Sequence, residues 1–157
     1  MYDQLKIGLS AAVPFARYVG IELIDIGPGS AKARLAPRPD LLNHIATIHA
    51  GALFTLAETA SGAATAGAFA DMVGLIRPVA AEARIAYLKL ARTAVNCIAE
   101  TSIPAEQLNT RLREEGKVVF DVRVTMTDDD GRAVAEMSVS WNVRLIAPQT
   151  EARAPAG

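Results

Sequence analysis

The residues best suited to chemistry lie in one stretch of the chain, from Asn43 to Glu58. A long run of small and apolar residues leads up to the carboxylate of Glu58 and continues beyond it. A carboxylate in the middle of an apolar helix is costly unless it is paired or functional. Glu58 is therefore the leading candidate for a nucleophile or a general base. The structural alternative is pairing with threonine hydroxyls or with an arginine such as Arg84.

Three residues before Glu58 could assist it. Gly51, in the first turn of a helix capped by Thr47, can present an unpaired backbone N–H to a carbonyl oxygen, or can instead allow a strand to pack closely. Asn43 could position a water molecule or the carbonyl, or shape the loop as an Asx turn. His49 is predicted to hold the loop against the helix start, with a role as general base as the alternative.

This stretch resembles the PaaI-like hotdog thioesterases, whose pattern is an Asn, a His-Gly-Gly beginning six residues later, and an Asp or Glu nine residues after the His. Asn43, His49, Gly51 and Glu58 occupy those positions, and the intervening Ala-Leu-Phe-Thr-Leu-Ala run matches as well. The resemblance implies an α+β hotdog fold, in which an antiparallel sheet wraps around a long central helix. It also implies hydrolysis of an acyl-CoA thioester, with coenzyme A as part of the substrate and no separate cofactor.

Further residues are predicted to contact the substrate. Four lie on the central helix and two near the end of a strand, where they could meet the phosphates of coenzyme A or simply be solvated: Ala50, Phe54, Thr59 and Gly62, then Lys89 and Arg92. Two positions depart from the family pattern, because Ala50 replaces the first Gly and Ala80 stands where some relatives carry a water-holding Ser. Either change would suit slow turnover or an unusual substrate, and the low aromatic content (5%) favours an aliphatic acyl group.

Helix geometry predicts a shared site. Gly51 and Glu58 are seven residues apart, which is roughly 10 Å along a helix axis. One thioester carbon cannot contact both groups of a single helix, since reacting atoms lie about 3–3.5 Å from their partners. The Glu58 that serves a given Gly51 must come from another chain. The sequence therefore predicts a homodimer, or a dimer of dimers, with joined sheets and antiparallel central helices.

Two other functions fit the same fold. Hotdog hydratases and dehydratases pair a loop His with a helix carboxylate, commonly in a proline-rich His-Phe-Pro stretch that the loop around His44 and His49 lacks. A non-catalytic protein that binds an acyl group or lipid is the other alternative. Acyl-CoA hydrolysis by the purified protein would separate hydrolase from binding protein.

Composition narrows the class of partner. The 157 residues carry a formal net charge of -1, which gives no general electrostatic reason to bind nucleic acid or an anionic membrane. The apolar segment from Ile48 to Ala70 is mostly Ala and Gly and contains Glu58, so it is interpreted as a helix enclosed by protein, not a membrane span. Cys97 is the sole cysteine, which fits a cytoplasmic protein, and no metal site is predicted.

Residues 1–146 are interpreted as a single domain. The predicted helices cover residues 1–19 (kinked or ended at Pro14), 47–70 and 104–116. Alternating or β-rich stretches predict six strands: Ile21–Ile26, Ser30–Leu35, Val79–Leu90, Ala94–Thr101, Val118–Thr127 and Ala133–Leu145. Runs of strands with helices set to one side indicate an α+β fold with an antiparallel sheet. Residues 147–157, with two prolines and few apolar anchors, are predicted to be disordered.

Overall fold

A computed structural model describes residues 1–146 of the chain. The helices in this range are α1 (Tyr2–Ala12), α2 (Pro14–Val19), α3 (Ala50–Ala68) and α4 (Ala105–Glu115). The strands are β1 (Glu22–Gly27), β2 (Ser30–Leu35), β3 (Ile76–Tyr87), β4 (Val95–Thr101), β5 (Lys117–Asp128) and β6 (Ala133–Leu145). The predicted tail, residues 147–157, lies outside the described residues.

The six strands form one antiparallel sheet in the order β1-β2-β4-β5-β6-β3. Along β5 and β6 buried and exposed residues alternate, so one face of the sheet is apolar and the other polar. Helix α3 packs on the apolar face, mainly against β2, β4 and β5. This arrangement is the predicted α+β architecture. It leaves β3 at an edge, where the inner face of the strand has little cover from α3.

The central helix is shorter than predicted at its start. It begins at Ala50 instead of residue 47, and His49, not Thr47, is the N-cap. Thr47 is unavailable because its side chain is buried in the preceding loop, where its hydroxyl accepts a hydrogen bond from Asn43. Beyond α3 the chain continues as a 3₁₀ segment, Ala70–Leu75, which the sequence pattern did not predict.

The N-terminal segment is two helices. Helix α1 ends at Ala12, and Pro14 is the first residue of α2, a position where its missing N–H costs nothing. Gly20 ends α2 with a left-handed φ of 88°, and its N–H donates to the carbonyls of Ala16 and Arg17. The break predicted at Pro14 is confirmed. The two short helices cover β1 and one side of α3.

Strand boundaries depart most from prediction at β3. This strand begins at Ile76, three residues before the predicted Val79, and includes Pro78. A proline is compatible with an edge strand because one side of the strand has no neighbour to receive its N–H. The predicted bounds of β2 and β6 match those observed. None of the described helices is long and apolar enough to cross a bilayer.

Candidate active site

The loop before α3 is organised by the side chain of Asn43. Its Oδ1 accepts hydrogen bonds from the N–H groups of Ile45 and Thr47, both at 3.1 Å, and its Nδ2 donates to Thr47 Oγ1 at 2.8 Å. These bonds brace a turn in which Ala46 has a left-handed φ of 58°, a conformation that costs a non-glycine residue energy. Both acceptor positions of Oδ1 are used. The bonds that Asn43 makes within the described chain are those of the loop-shaping alternative, and its role in positioning water or substrate stays a prediction.

The start of α3 is capped by His49. Its Nδ1 accepts the N–H of Gly51 at 2.8 Å, and its carbonyl accepts the N–H groups of Ala52 and Leu53. The expectation that Gly51 has an unpaired N–H is therefore wrong, because the histidine side chain occupies it. Within residues 1–146, Ala50 carries the one N–H of this first turn that makes no hydrogen bond. Ala50 is also an exposed residue.

Two hydrogen bonds connect this helix start to the end of β3 and to the segment that follows it. The hydroxyl of Tyr87, the last residue of β3, donates to the carbonyl of Ala50 at 3.1 Å. The N–H of Ile48 donates to the carbonyl of Ala91 at 2.8 Å. The β3–β4 connection and the helix start thus form one end of the molecule. The sequence pattern gave no signal for the Tyr87 contact, since the two partners are 37 residues apart.

The predicted phosphate contacts lie at this end. Lys89 and Arg92 border a depression of about 270 Å³ together with Arg132 and two acidic residues, Asp128 and Asp130. Three cations beside two carboxylates give the depression mixed charge, so it is a weaker anion site than a purely basic one.

Glu58 lies in the middle of α3 without a partner. Burial raises the pKa of its carboxyl group above the ordinary 4.5, because desolvation penalises the charged form. Arg84, the proposed structural partner, lies 3.8 Å from Glu82 in an exposed ion pair instead. The hydroxyl of Thr55 donates to the carbonyl of Gly51. No described residue forms a salt bridge or hydrogen bond with the Glu58 carboxylate, so the structural alternative for this residue is not observed.

An apolar cavity of about 370 Å³ opens beside Glu58. Two other predicted residues, Thr59 and Gly62, line it, whereas Phe54 packs partly against the core outside its walls. Residues that sequence reasoning had not assigned to the site complete the lining: Leu9, Val13, Leu23, Ala63, Ala66, Val73, Ile76, Pro78 and Trp141. No local pattern in the sequence places α1 and β6 beside the same turn of α3.

The two halves of the predicted site lie apart in one chain. Helix α3 is continuous, so Ala50 and Glu58 are eight residues apart, or roughly 12 Å along the axis. The helix start carries donors, and the middle carries the carboxylate and the cavity. No three His, Cys, Asp or Glu side chains converge as a metal site in the part of the chain that the structure describes.

Solved structures share this fold. PA5026 from Pseudomonas aeruginosa, a protein of unknown function described as a probable thioesterase, is 26% identical, with a TM-score of 0.79 over 92% of this chain and 95% of that one. The Escherichia coli PaaI protein of phenylacetic acid degradation is 20% identical, with a TM-score of 0.68 over 92% of each chain. A hypothetical thioesterase from Streptococcus pneumoniae, solved with coenzyme A, is 21% identical, with a TM-score of 0.64 over 80% of this chain and 87% of that one.

These likenesses confirm the predicted hotdog fold and the predicted resemblance of this chain to PaaI-like proteins. The fold is therefore that of the hotdog proteins, a class that includes a probable thioesterase. Residues 3–143 match the model of a domain of unknown function, DUF4442, and the chain belongs to that family. No curated protein matches it.

Proposed function

We propose that this protein is an acyl-CoA thioesterase in which Glu58 is the catalytic carboxylate. The observation that carries the proposal is the unpaired carboxylate of Glu58 on the wall of an apolar cavity, with its pKa raised by burial. An arrangement that costs stability and has no structural partner is typical of a functional group. The coenzyme A bound to the Streptococcus pneumoniae protein supports a coenzyme A ester as the substrate.

Hydrolysis of a thioester requires a base that activates water and a hydrogen-bond donor that stabilises the negative charge on the carbonyl oxygen. In the proposed reaction Glu58 removes a proton from water as the water oxygen attacks the thioester carbon. The carbon–sulfur bond then breaks, and the proton passes to the departing sulfur, so the products are the carboxylic acid and coenzyme A. Glu58 could instead attack the thioester carbon directly, which breaks the carbon–sulfur bond, releases the thiolate and forms an anhydride; water then opens the anhydride, restores the Glu58 carboxylate and supplies the proton for the thiolate. Both routes need the ionised carboxylate, and both develop negative charge on the carbonyl oxygen.

The free N–H of Ala50 is the donor for that oxygen. It lies at the N-terminus of α3, where the helix dipole favours negative charge, and no described residue occupies it. This replaces the assignment to Gly51, whose N–H is held by His49. A methyl group at Ala50 does not impair the donor, because the N–H belongs to the backbone.

A second copy of the chain completes the site. Ala50 and Glu58 of one helix are too far apart to act on one carbonyl, as calculated above. Edge strand β3 runs for 12 residues and is mostly exposed, including Val79 at 52% and Tyr87 at 49%. Such an edge is a template for pairing with another chain. Pairing β3 with its copy, with the two α3 helices side by side and antiparallel, would bring Glu58 of one chain to Ala50 of the other.

The first test is Glu58→Gln, assayed for thiol release from a series of acyl-CoAs. The amide is nearly isosteric but is neither a base nor a competent nucleophile, so we expect turnover to fall by at least about a hundredfold. Glu106→Gln, the same change at an exposed position on α4, is the matched control and should retain full activity. Wild-type-like turnover by a correctly folded Glu58→Gln protein would refute the assignment.

The second test uses Ala50→Pro to remove the donor. Proline suits this position because Ala50 is the first residue of α3 and His49 before it is extended, with ψ 140°. Alone, the variant should be inactive but stable. Mixed with Glu58→Gln after reversible dissociation, it should form heterodimers with one intact site of two. Random pairing would restore about a quarter of wild-type activity, half of the dimers being mixed and half of their sites being intact.

The mixing test also discriminates between alternatives. An active monomer in sedimentation, or a mixture that exchanges subunits yet stays inactive, would show that the site is not shared between chains.

Gly51→Pro in place of Ala50→Pro tests the earlier donor assignment. If Ala50→Pro were fully active and Gly51→Pro inactive but folded, the N–H of Gly51 would be the donor after all. Absence of hydrolysis across the acyl-CoA series would favour the non-catalytic binding alternative.

A further inference from the structure

The cavity beside Glu58 is elongated along α3. Glu58, Gly62 and Ala66 succeed one another on one side of the helix, and all three line the cavity. Glu58 and Ala66 are eight residues apart, so this wall extends roughly 12 Å beyond the carboxylate. Apart from Glu58 and Thr59 at one end, the lining is apolar. A polar or charged group deep in the cavity would lose its hydrogen bonds to water without replacement.

The indole of Trp141 lines the cavity next to α3, and it is fixed in place. Its Nε1–H donates to Ser61 Oγ at 3.2 Å, and the Ser61 hydroxyl donates to the carbonyl of Glu58 at 2.7 Å. The ring is therefore held to the same turn of α3 that carries the carboxylate. A Cβ atom at Gly62 would lie in ordinary contact, 3.5 Å from two ring carbons, so the ring lies close against α3 at this turn with room for no more than one methyl group between them.

Helix α1 closes part of the far side. Leu9 is half-buried and lines the cavity together with Val13, which lies at the break between α1 and α2. The N-terminal helices thus add a wall that the sheet and central helix alone do not provide.

We propose that this cavity receives a straight aliphatic acyl chain, which runs from the thioester carbon at Glu58 along α3 to Ala66. Trp141 forms a side wall for the chain, and Leu9 and Ala66 set its length. The inference rests on the proposed thioesterase function and adds the substrate class to it. A long and apolar space suits an extended hydrocarbon chain better than a compact hydroxylated ring, because its lining offers such a ring no polar partner.

The test compares the chain-length dependence of kcat/KM for saturated acyl-CoAs in variants that move the walls. In the wild-type protein kcat/KM should rise about fourfold per methylene until the chain fills the cavity. Ala66→Leu fills the distal end and should lower kcat/KM for the longest favoured chain about fifteenfold, roughly the worth of two methylenes. Leu9→Ala should move the optimum to longer chains. Ala36→Leu, the same substitution in an exposed loop after β2, is the control.

Trp141 gives a second readout that does not depend on hydrolysis. It is the sole tryptophan of the chain, so its fluorescence reports on this cavity directly. Decanoate should change the emission saturably in the wild-type protein and in Ala36→Leu, and much less in Ala66→Leu. If Ala66→Leu fails to fold, Gly62→Ala narrows the space by one methyl group and serves in its place.

The outcomes separate the cavity from the chemistry. Opposite shifts of the optimum in Ala66→Leu and Leu9→Ala would support the inference. Unchanged chain-length profiles in active variants would overturn the cavity assignment and leave the thioesterase function standing. A decanoate response without hydrolysis of any acyl-CoA would support the cavity and refute the thioesterase. No response of Trp141 to decanoate would overturn the inference.

Discussion

The start and the middle of α3 differ in whether their polar side chains have hydrogen-bond partners. Before the helix, Asn43 satisfies the loop with its own side chain, and His49 caps the first turn. Two turns further on, Glu58 is half-buried beside an apolar cavity with no partner among the described residues. In the first region polar side chains form hydrogen bonds that stabilise the fold, whereas in the second a half-buried carboxylate destabilises it.

This difference separates structural from chemical residues within one sequence motif. Asn43 and Glu58 both belong to the pattern that resembles PaaI-like thioesterases, yet the amide of Asn43 is bonded within its own loop, whereas the carboxylate of Glu58 has no partner among the described residues. The contrast predicts that substitution of Asn43 lowers stability, whereas substitution of Glu58 abolishes activity and raises stability. The two predictions below test each half.

The larger stability effect is expected for Asn43→Ala. The change leaves two backbone N–H groups and the buried Thr47 hydroxyl without their partner, and the turn at Ala46 loses its brace. We expect the free energy of unfolding to fall by about 1–3 kcal/mol, the range for polar groups that lose their partner, with the smallest share from the exposed N–H of Ile45. Urea denaturation at a fixed protein concentration measures it.

Asn43→Asp is the control for that change. Aspartate keeps the acceptor oxygen for the N–H groups of Ile45 and Thr47 and loses only the donor to Thr47. Its cost should therefore be the smaller of the two. If Asn43→Ala unfolds like the wild-type protein but has lost its activity, Asn43 acts on the substrate and the contrast drawn here fails.

Prediction from sequence succeeded where the deciding interactions are local. Alternation over Ser30–Leu35 and Ala133–Leu145 marks strands that bury one face, and Pro14 ends α1 by its own geometry. It failed at the start of α3, where Thr47 is a good cap by type but Asn43 already holds its hydroxyl. His49 caps the helix in place of Thr47, and its imidazole accepts the Gly51 N–H that had been predicted to contact the substrate.

The cavity was beyond local reasoning for a related cause. Its walls include Leu9 and Trp141, which are separated by most of the chain and meet only because α1 and β6 flank the same part of α3. The alternation of β6 predicts that Trp141 faces inward. It cannot predict that Ser61 orients the ring or that Gly62 leaves space beside it. Glu58 could be selected as the candidate carboxylate from the sequence, because a single charged residue in an apolar helix is visible there.

The smaller stability effect, opposite in sign, is expected for Glu58→Gln. Burial raises the pKa of Glu58 in the folded protein, so the folded state binds this proton more tightly than the unfolded state. The stability of the wild-type protein should therefore fall as pH rises from the ordinary glutamate value of 4.5 through the raised pKa, and the penalty is complete above it. Glutamine does not titrate. The variant should melt above the wild-type protein at pH 7, and the difference should shrink towards zero as pH falls below 4.5.

Thermal melts at matched protein concentration across this pH range measure the effect, since assembly also contributes to melting temperature. Glu106→Gln, at an exposed position, should follow the wild-type curve and corrects for general loss of charge. A Glu58→Gln protein that is less stable than the wild type at pH 7 would mean that the carboxylate has a stabilising partner in the assembled protein. Glu58 would then be a structural residue like Asn43, and the carboxylate could no longer be inferred to be catalytic from its isolation.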